Sequence, residues 1–523
     1  MATDVQFAVS RIASINPATG EVLGELDSAG PAEVRAAVAR ARAAQPDWVA
    51  WGVRNRISVV RRFQQLILRR KTDVARRITQ ESGKPQVEAL ITEVLVVLDA
   101  ARFLIEHGFA LLRDEPLAHG NLAVKTKLGH ILREPYGVIG IISPWNYPFS
   151  TPATEVLAAL VAGNAVVLKP SELAPLIALE LQRLMREAGV PNEVFQVLPG
   201  DGATGAALMQ SDIDKIVFTG SVGTGRRIAH MAAERLLPVV LELGGKDPML
   251  VLDDADVDSA SSGAIWGAFV NAGQTCLSIE RCYVHRSVQS DFIDACVTKT
   301  RKLRVGNGLD PATEIGPMIH ERQVRIVEAH VEDARQRGAQ VLEGGARLRE
   351  LGPTYFAPTI LAGVDHSMRI MREETFGPVL PIMAFDDDAE AVRLANDSEY
   401  GLGASVWTGN HARGQRLARQ IQAGTVMVND AISCFSISEA PHGGMKASGL
   451  GRMHGRWGLE EMVRLKYVDV DLVPKMKKVW WFGYGREFSL EAESFLDVLF
   501  ARPLRHRMRA AMRASGALWR RKL

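Results

Sequence analysis

Between residues 138 and 242, short apolar runs alternate with helical segments, and this alternation limits the possible folds more than any other feature of the chain. The runs 138–142, 165–168, 194–198 and 215–218 are strand-like, while 155–162, 176–188 and 223–234 carry the 3.6-residue apolar spacing of helices. Strands joined through helices lie parallel, so the sequence predicts an α/β architecture built on a doubly wound parallel sheet. Upstream, 31–108 reads as mostly helical, with a break at Ser82-Gly83-Lys84-Pro85. A second α/β set follows Gly244; it takes in 306–317, a helix at 321–338, and 424–429.

A chain of 523 residues with 47% hydrophobic content can bury more than one core, which predicts two or three domains. A net charge of +2 argues against nucleic acid as a partner. The four cysteines, Cys276, Cys282, Cys296 and Cys434, include no Cys-x-x-Cys pair, so no metal site is predicted, and their scarcity fits a reducing compartment. Residues 1–14 lack a basic start followed by an apolar run, and no apolar stretch reaches the roughly 20 residues of a membrane span. The expectation is a soluble, cytoplasmic protein.

Three segments carry candidate chemistry. In Phe269-Val270-Asn271-Ala272-Gly273-Gln274-Thr275-Cys276 one thiol sits in a glycine-punctuated polar turn after an apolar stretch. A nucleophilic cysteine needs partial exposure and donors that favour the thiolate, and such a turn supplies both. In Leu241-Glu242-Leu243-Gly244-Gly245-Lys246 a lone carboxylate closes the apolar run 236–241, where it can act as a general base. In Ser143-Pro144-Trp145-Asn146-Tyr147-Pro148 a strand ends in a proline-bracketed pair whose amide can donate to an oxyanion. Each has a plainer reading: a small buried hydrophobe, a solvated strand end, a turn former. Taken together, Cys276, Glu242 and Asn146 make a nucleophile, a base and an oxyanion donor.

Through these segments the chain resembles the aldehyde dehydrogenase superfamily from about residue 15 to about residue 470. Glu242-Leu-Gly-Gly-Lys246 and Phe269-x-Asn-x-Gly-Gln-x-Cys276 match the two active-site signatures of that family. Pro144-Trp145-Asn146, Lys169-Pro170-Ser171-Glu172, Phe218-Thr219-Gly220-Ser221, Glu373-Glu374-Thr375-Phe376-Gly377-Pro378 and Ser448-Gly449-Leu450-Gly451-Arg452 follow in family order. The resemblance implies an NAD-binding domain of 1–115 and 136–243, a catalytic domain of 244–461, a small β oligomerisation extension of 116–135 and 462–472, and a homodimer or homotetramer. It also implies oxidation of an aldehyde to the acid without CoA, since Glu242 stands where the CoA-acylating branch generally lacks a base.

The turn Gly220-Ser221-Val222-Gly223-Thr224-Gly225 follows a strand and opens a helix, where a dinucleotide phosphate would meet backbone N–H groups. Its spacing differs from the usual fingerprint, and a plain helix start is the alternative. The resemblance adds cofactor contacts at Ser143, Trp145, Lys169, Ser171, Glu172, Gly202, Phe218, Gly220, Ser221, Gly225, Leu243, Glu374 and Phe376. Lys169 and Glu172 would hold the adenosine ribose, and the Glu172 carboxylate would repel a 2′-phosphate, which favours NAD over NADP.

Two positions depart from the family. Glu155 stands where many relatives carry a lysine and Met453 where many carry a glutamate, a pair that helps carry the proton away from the general base. Proton exit from Glu242 must then use another route, through water or Glu155, and slow deacylation with a burst of NADH is the expectation. Semialdehyde oxidisers of the family often grip the distal carboxylate with an arginine where this chain has Thr154. Tyr147, Phe149, Thr154 and Phe435 therefore suggest an uncharged or apolar aldehyde. A succinate-semialdehyde enzyme is the near rival, and a non-catalytic binding protein on the same fold the remote one. The tail 473–523 holds Trp480, Trp481, Phe482, Arg505, Arg507, Arg509, Arg513, Trp519, Arg520, Arg521 and Lys522, with Met508, Ala511, Met512 and Leu518 on one side. Such a helix suits an anionic membrane surface or a neighbouring subunit.

Overall fold

The computed structural model describes residues 10–121, 124–475, 478, 480–482 and 484–518. Residues 1–9 of the segment read for a leader lie outside them, as do Trp519, Arg520, Arg521 and Lys522 of the basic tail. The chain divides into two compact units, residues 1–112 with 135–464 and residues 113–134 with 465–523.

The first unit opens with two long helices, Pro31–Ala50 and Gly52–Ser82. Pro31 stands at the first helical position and the Glu33 carboxylate accepts from Gly30 N–H at 3.2 Å, two devices that start a helix. The second helix stops at Gly83, whose φ of 81° only glycine adopts without strain. Next come a π-helical turn, Ala89–Val94, and the helix Leu95–Leu112.

A six-stranded sheet follows, in the order Gly449–Leu450, Val239–Glu242, Lys215–Thr219, Val138–Ile142, Ala165–Lys169, Phe195–Val197. All neighbours pair in parallel except Gly449–Leu450, which is antiparallel. The chain winds from Val138–Ile142 to one side through two strands, then returns to build the other side, so the predicted doubly wound sheet is present. Its strands are continuous Val, Ile and Leu runs because helices cover both faces. The helix Ser150–Ala162 is apolar nearly all round, and all thirteen of its residues are buried.

A seven-stranded sheet lies in the order Gln340–Glu343, Thr359–Ala362, Val379–Phe385, Ile279–His285, Asp247–Val251, Gly403–Trp407, Thr425–Val428, antiparallel only at Gln340–Glu343. Each sheet has its own hydrophobic core. The expected boundary at residue 461 is displaced. Gly449–Leu450 joins the first sheet, and Met453, Leu459, Met462 and Val463 pack into the first core. Residues 306–317, expected as part of the second α/β set, form a loop with one bridge between Val305 and Ile315, because Gly308 and Gly316 pack against the backbone of Gly83 and Lys84.

In the second unit Glu115–Leu117, Lys127–Pro135 and Val463–Asp471 make a three-stranded sheet with Lys127–Pro135 in the centre. Beyond it are the helices Arg486–Phe500 and Leu504–Leu518, which pack on each other. No described helix is long and apolar enough to cross a membrane.

Candidate active site

The carboxyl ends of the parallel strands bring the signature residues into a row. Register sets Ile142 beside Lys169 and Phe218, and Thr219 beside Glu242. Ser143, Lys169, Gly220 and Leu243 therefore emerge side by side at the edge where open α/β sheets bind ligands. Gly220 and Leu243 border a cavity of about 520 Å³, whose walls include Trp145, Asn146, Tyr147, Thr154, Ser221, Glu242, Cys276, Glu374, Phe376 and Phe435.

Cys276 ends a turn of unusual backbone. Asn271, Ala272 and Gly273 have φ of 55°, 53° and 73°, three successive left-handed residues. Such conformations cost of order 1–3 kcal/mol each for non-glycine residues and persist only where surroundings over-determine them. Here the surroundings are specific. Asn271 Nδ2 donates to Asn146 O at 3.0 Å and Gln274 O at 3.1 Å, and Gln274 Nε2 donates to Asn271 O at 2.9 Å. A methyl group on Gly273 would run into the Gly377 carbonyl. The asparagine, glycine and glutamine of the signature thus hold the turn that presents the thiol.

Asn146 Nδ2 donates to Gln274 O at 3.1 Å, which leaves the second amide N–H for a ligand. Its own carbonyl is gripped by Lys84 Nζ at 2.7 Å. Lys84 is fully buried, pairs with Glu93 Oε1 at 2.7 Å and stands 4.0 Å over the Tyr147 ring. Glu93 Oε2 accepts from the N–H groups of Phe149 and Ser150 at 2.8 and 3.1 Å, and Glu88 Oε2 from Asn271 N–H at 3.0 Å. The π-helical turn that follows Glu88, which contains Glu93, is therefore a brace for both the asparagine loop and the cysteine turn. Nothing in the sequence reading singled out Lys84, Glu88 or Glu93. The trace they left was a lysine inside an expected helix break and two glutamates in an otherwise apolar stretch.

Glu242 is buried, and neither carboxylate oxygen has a hydrogen-bond partner. Burial and then the charge of Glu155 hold its carboxyl well above the usual range, against the pull of Arg452. Glu155 is buried too, accepts from Thr219 Oγ1 at 3.0 Å and is pushed up to about 8 by burial. The Cys276 thiol is raised by burial, followed by the carboxylates of Asp247, Glu242 and Glu374.

At the Gly220–Gly225 turn, Ser221 caps the helix Val222–Ala233, its Oγ accepting from Thr224 N–H at 3.4 Å. A Cβ on Gly225 would strike Leu243. Ser143 Oγ is buried with no partner. Lys169 Nζ donates to Glu172 Oε2 at 3.3 Å, beside Ser171. Glu374 Oε1 accepts from Gly245 N–H at 3.1 Å, and burial, then Glu280, pushes its carboxyl up to about 8. The loop carrying Glu374 and Phe376 is tied down by Glu280, which accepts from Thr375 N–H at 2.7 Å and Phe376 N–H at 2.8 Å and pairs with Lys246 at 2.5 Å. Phe376 meets Trp145 edge to face, with ring centroids 5.4 Å apart. An open helix N-terminus, an unpartnered hydroxyl and a lysine–glutamate pair at adjoining strand ends fit a dinucleotide.

Among the expected substrate residues, Tyr147, Thr154 and Phe435 line the cavity. Phe149 does not: it precedes the helix Ser150–Ala162 with its side chain fully buried in the first core. Ser143, Lys169, Ser171, Glu172, Gly202, Phe218 and Gly225 are likewise not on the cavity wall; Gly202 starts the exposed end of the helix Gly202–Gln210, and Phe218 packs against Gly220. His442 and His454 line the cavity beside Phe435 and were not singled out from sequence. A histidine between Pro441 and a Gly-Gly pair was the available signal.

Comparison with known proteins matches this geometry. The family model described as "Aldehyde dehydrogenase family" matches residues 5–468. The chain is 38% identical over 495 residues to the 4,4'-diapolycopene aldehyde oxidase of Methylomonas sp, covering 94% of this chain and 92% of that protein. It superposes on the NAD+ complex of aldehyde dehydrogenase from Bacillus cereus with a TM-score of 0.85 at 35% identity, covering 88% of this chain and 94% of that one. The succinate-semialdehyde dehydrogenase of Burkholderia pseudomallei gives a TM-score of 0.85 at 37% identity, covering 88% and 95%. With its signature residues gathered on one cavity and the family model spanning nearly its whole length, the chain belongs to the aldehyde dehydrogenase family.

Proposed function

We propose that this protein oxidises an uncharged, apolar aldehyde to the carboxylic acid with NAD, NADP being the alternative, through a covalent adduct on Cys276. The observation that carries the substrate class is the cavity wall, which includes Ile91, Val96, Tyr147, Trp266, Val270, Ile432, Phe435 and Met453 and no lysine or arginine among the described residues. A distal carboxylate would be buried there without a counter-charge, at a cost that apolar chains do not meet. The relative named 4,4'-diapolycopene aldehyde oxidase supports an aldehyde without a distal carboxylate. The succinate-semialdehyde relative favours the second reading, a small carboxylated aldehyde.

The residues divide the chemistry as follows. Cys276 Sγ, once it has lost its proton, attacks the aldehyde carbon as the thiolate, and the oxyanion is received by the second Asn146 N–H and the Cys276 backbone N–H. The hydride that the carbon loses as the oxyanion collapses to a thioester would pass to a nicotinamide when one is bound. Glu242 then removes a proton from the water that attacks the thioester, the C–S bond breaks, and the acid leaves.

The test is turnover across a panel from acetaldehyde through long-chain alkanals to succinate semialdehyde, with each cofactor. We expect kcat/KM to rise about three- to fourfold per methylene until the cavity is filled. Decanal should exceed succinate semialdehyde by about tenfold or more. Succinate semialdehyde as the best substrate would overturn the apolar assignment.

Two surfaces in the second unit support partners. Val463–Asp471 is an edge strand with Leu465 and Tyr467 exposed, a template for pairing with a second copy. The helices of the tail expose Phe500, Leu504, Met508 and Met512 among Arg502, Arg505, Arg507 and Arg509, a pattern suited to an anionic bilayer surface. Removal of residues 502–523 should abolish co-sedimentation with phosphatidylserine vesicles. Equal sedimentation of both forms would leave the tail to subunit packing.

A further inference from the structure

The wall of the cavity behind Glu242 holds a group of buried polar atoms that neither cofactor nor aldehyde accounts for. His442 Nε2 stands 3.8 Å from Glu242 Oε2. The His442 and His454 rings are 5.7 Å apart, and the Nδ1 atoms of both are buried without partners. His442 is fixed from both sides: its backbone exchanges two 2.7 Å hydrogen bonds with Met453, and its ring packs edge to face on Phe435 at 5.0 Å. Met453 and His454 also border a second, small cavity of about 30 Å³ lined in addition by Thr154 and Ser438. That volume admits a water, and the hydroxyls and imidazole give it polar partners. Ser438 in turn hydrogen-bonds the Asp99 carboxylate, which pairs with Arg102 at 2.8 Å and is partly exposed.

We propose that His442, with His454 behind it, carries the proton that Glu242 takes from the hydrolytic water toward solvent near Asp99, and so replaces the exit that Glu155 and Met453 do not provide. The proposal rests on the hydrolytic role assigned to Glu242. The proton balance closes without a charged intermediate being stored. Once the 3.8 Å gap closes to hydrogen-bond length, the Glu242 carboxylic acid gives its proton to His442 Nε2 while His442 Nδ1–H gives one up through a water to His454. His454 passes one on in the same way toward the side cavity, each ring ending in its other tautomer. An imidazole suits this because it accepts on one nitrogen and donates from the other. Glu155 does not: it is a buried carboxylate beside a buried carboxylate, so a proton there is shared and not moved on.

The charged and titratable groups around the path are consistent with passage through neutral rings. Glu155, Arg452 and Glu461 face Glu242; His454 and Arg452 face His442; Asp99 faces His454. Burial, with the neighbouring His454 and Arg452, lowers His442 to about 3, and burial lowers His454 to about 4. Both rings are therefore neutral throughout the working range. The pH dependence of hydrolysis should follow the raised Glu242 carboxyl, with activity climbing as pH rises through it, and should show no step at the usual histidine range.

The experiment is stopped-flow NADH formation with His442→Phe and His442→Gln in the full-length enzyme. In both, the first equivalent of NADH per site should form at the parental rate while steady-state turnover falls by about tenfold or more, within the range of a lost proton-transfer group. Glutamine retains the volume and a polar atom but cannot relay a proton, so packing alone would spare it. Added imidazole should restore turnover to His442→Ala. A His442→Gln enzyme turning over within twofold of the parent overturns the proposal, and so does loss of the first NADH equivalent, which would place His442 in the hydride half-reaction. Full turnover by Glu242→Gln would instead defeat the role of Glu242 itself, a failure that is read separately.

Discussion

Cys276→Ala is expected to lower kcat by on the order of 10⁶, the scale on which removal of a covalent nucleophile acts, and so to take aldehyde oxidation below detection. Cofactor binding, followed by quenching of tryptophan fluorescence, should persist, because the dinucleotide contacts come from other strand ends. The electrostatics of the turn add a second expectation. Burial and then Asp247, Glu242 and Glu374 raise the Cys276 thiol, so the free enzyme holds it protonated at neutral pH. Thiolate forms only as pH climbs toward that raised value, and alkylation of Cys276 by iodoacetamide should be slow at pH 7 and accelerate through the alkaline range. A bound oxidised nicotinamide adds positive charge near the thiol and should speed alkylation at fixed pH. Fast alkylation of the free enzyme at neutral pH, measured by mass spectrometry of the modified peptide, would show that the carboxylates do not control this thiol.

Lys84→Ala is expected to cost about 3–5 kcal/mol of folding stability, the penalty for leaving a buried charge without its partner. The abandoned group is Glu93, which shares the interior with Lys84 at 2.7 Å. The same lysine holds the Asn146 carbonyl, so oxyanion geometry should loosen as well, and the residual folded enzyme should lose kcat more than substrate affinity. The double variant Lys84→Met, Glu93→Leu separates the two effects. It should regain part of the stability in urea denaturation, because no lone charge remains although the Phe149 and Ser150 N–H groups lose their acceptor, yet stay slow, because the carbonyl has lost Lys84. Equal midpoints for Lys84→Ala and the parent would refute the brace.

Lys84 also shows why part of the site was illegible from sequence. Read locally, Ser82-Gly83-Lys84-Pro85 is a helix break, and Gly83 does end a helix. That the lysine beside it is dry, and that its partner lies in a π-helical turn, depends on the packing of the helix Gly52–Ser82 against that turn and the helix Leu95–Leu112. His442 is a similar case. Its position between Pro441 and Gly443 is visible, but its approach to Glu242 follows from the antiparallel bridge with Met453. Phe149 failed in the other direction, since an aromatic next to Tyr147 and Pro148 looked like pocket lining until the helix start turned it into the core.

The sequence by itself determined the alternation of strand and helix, the doubly wound sheet, and the three segments bearing Cys276, Glu242 and Asn146, because each is written in contiguous residues whose period or turn chemistry acts locally. Tertiary structure alone decided that Gly449–Leu450 would complete the first sheet, that Lys84 and Glu93 would brace the loop carrying Asn146, and that two buried histidines would stand behind Glu242. Those outcomes depend on burial and on contacts between residues tens to hundreds of positions apart. The energy of a charge or an imidazole changes with its surroundings far more than with its neighbours in the chain.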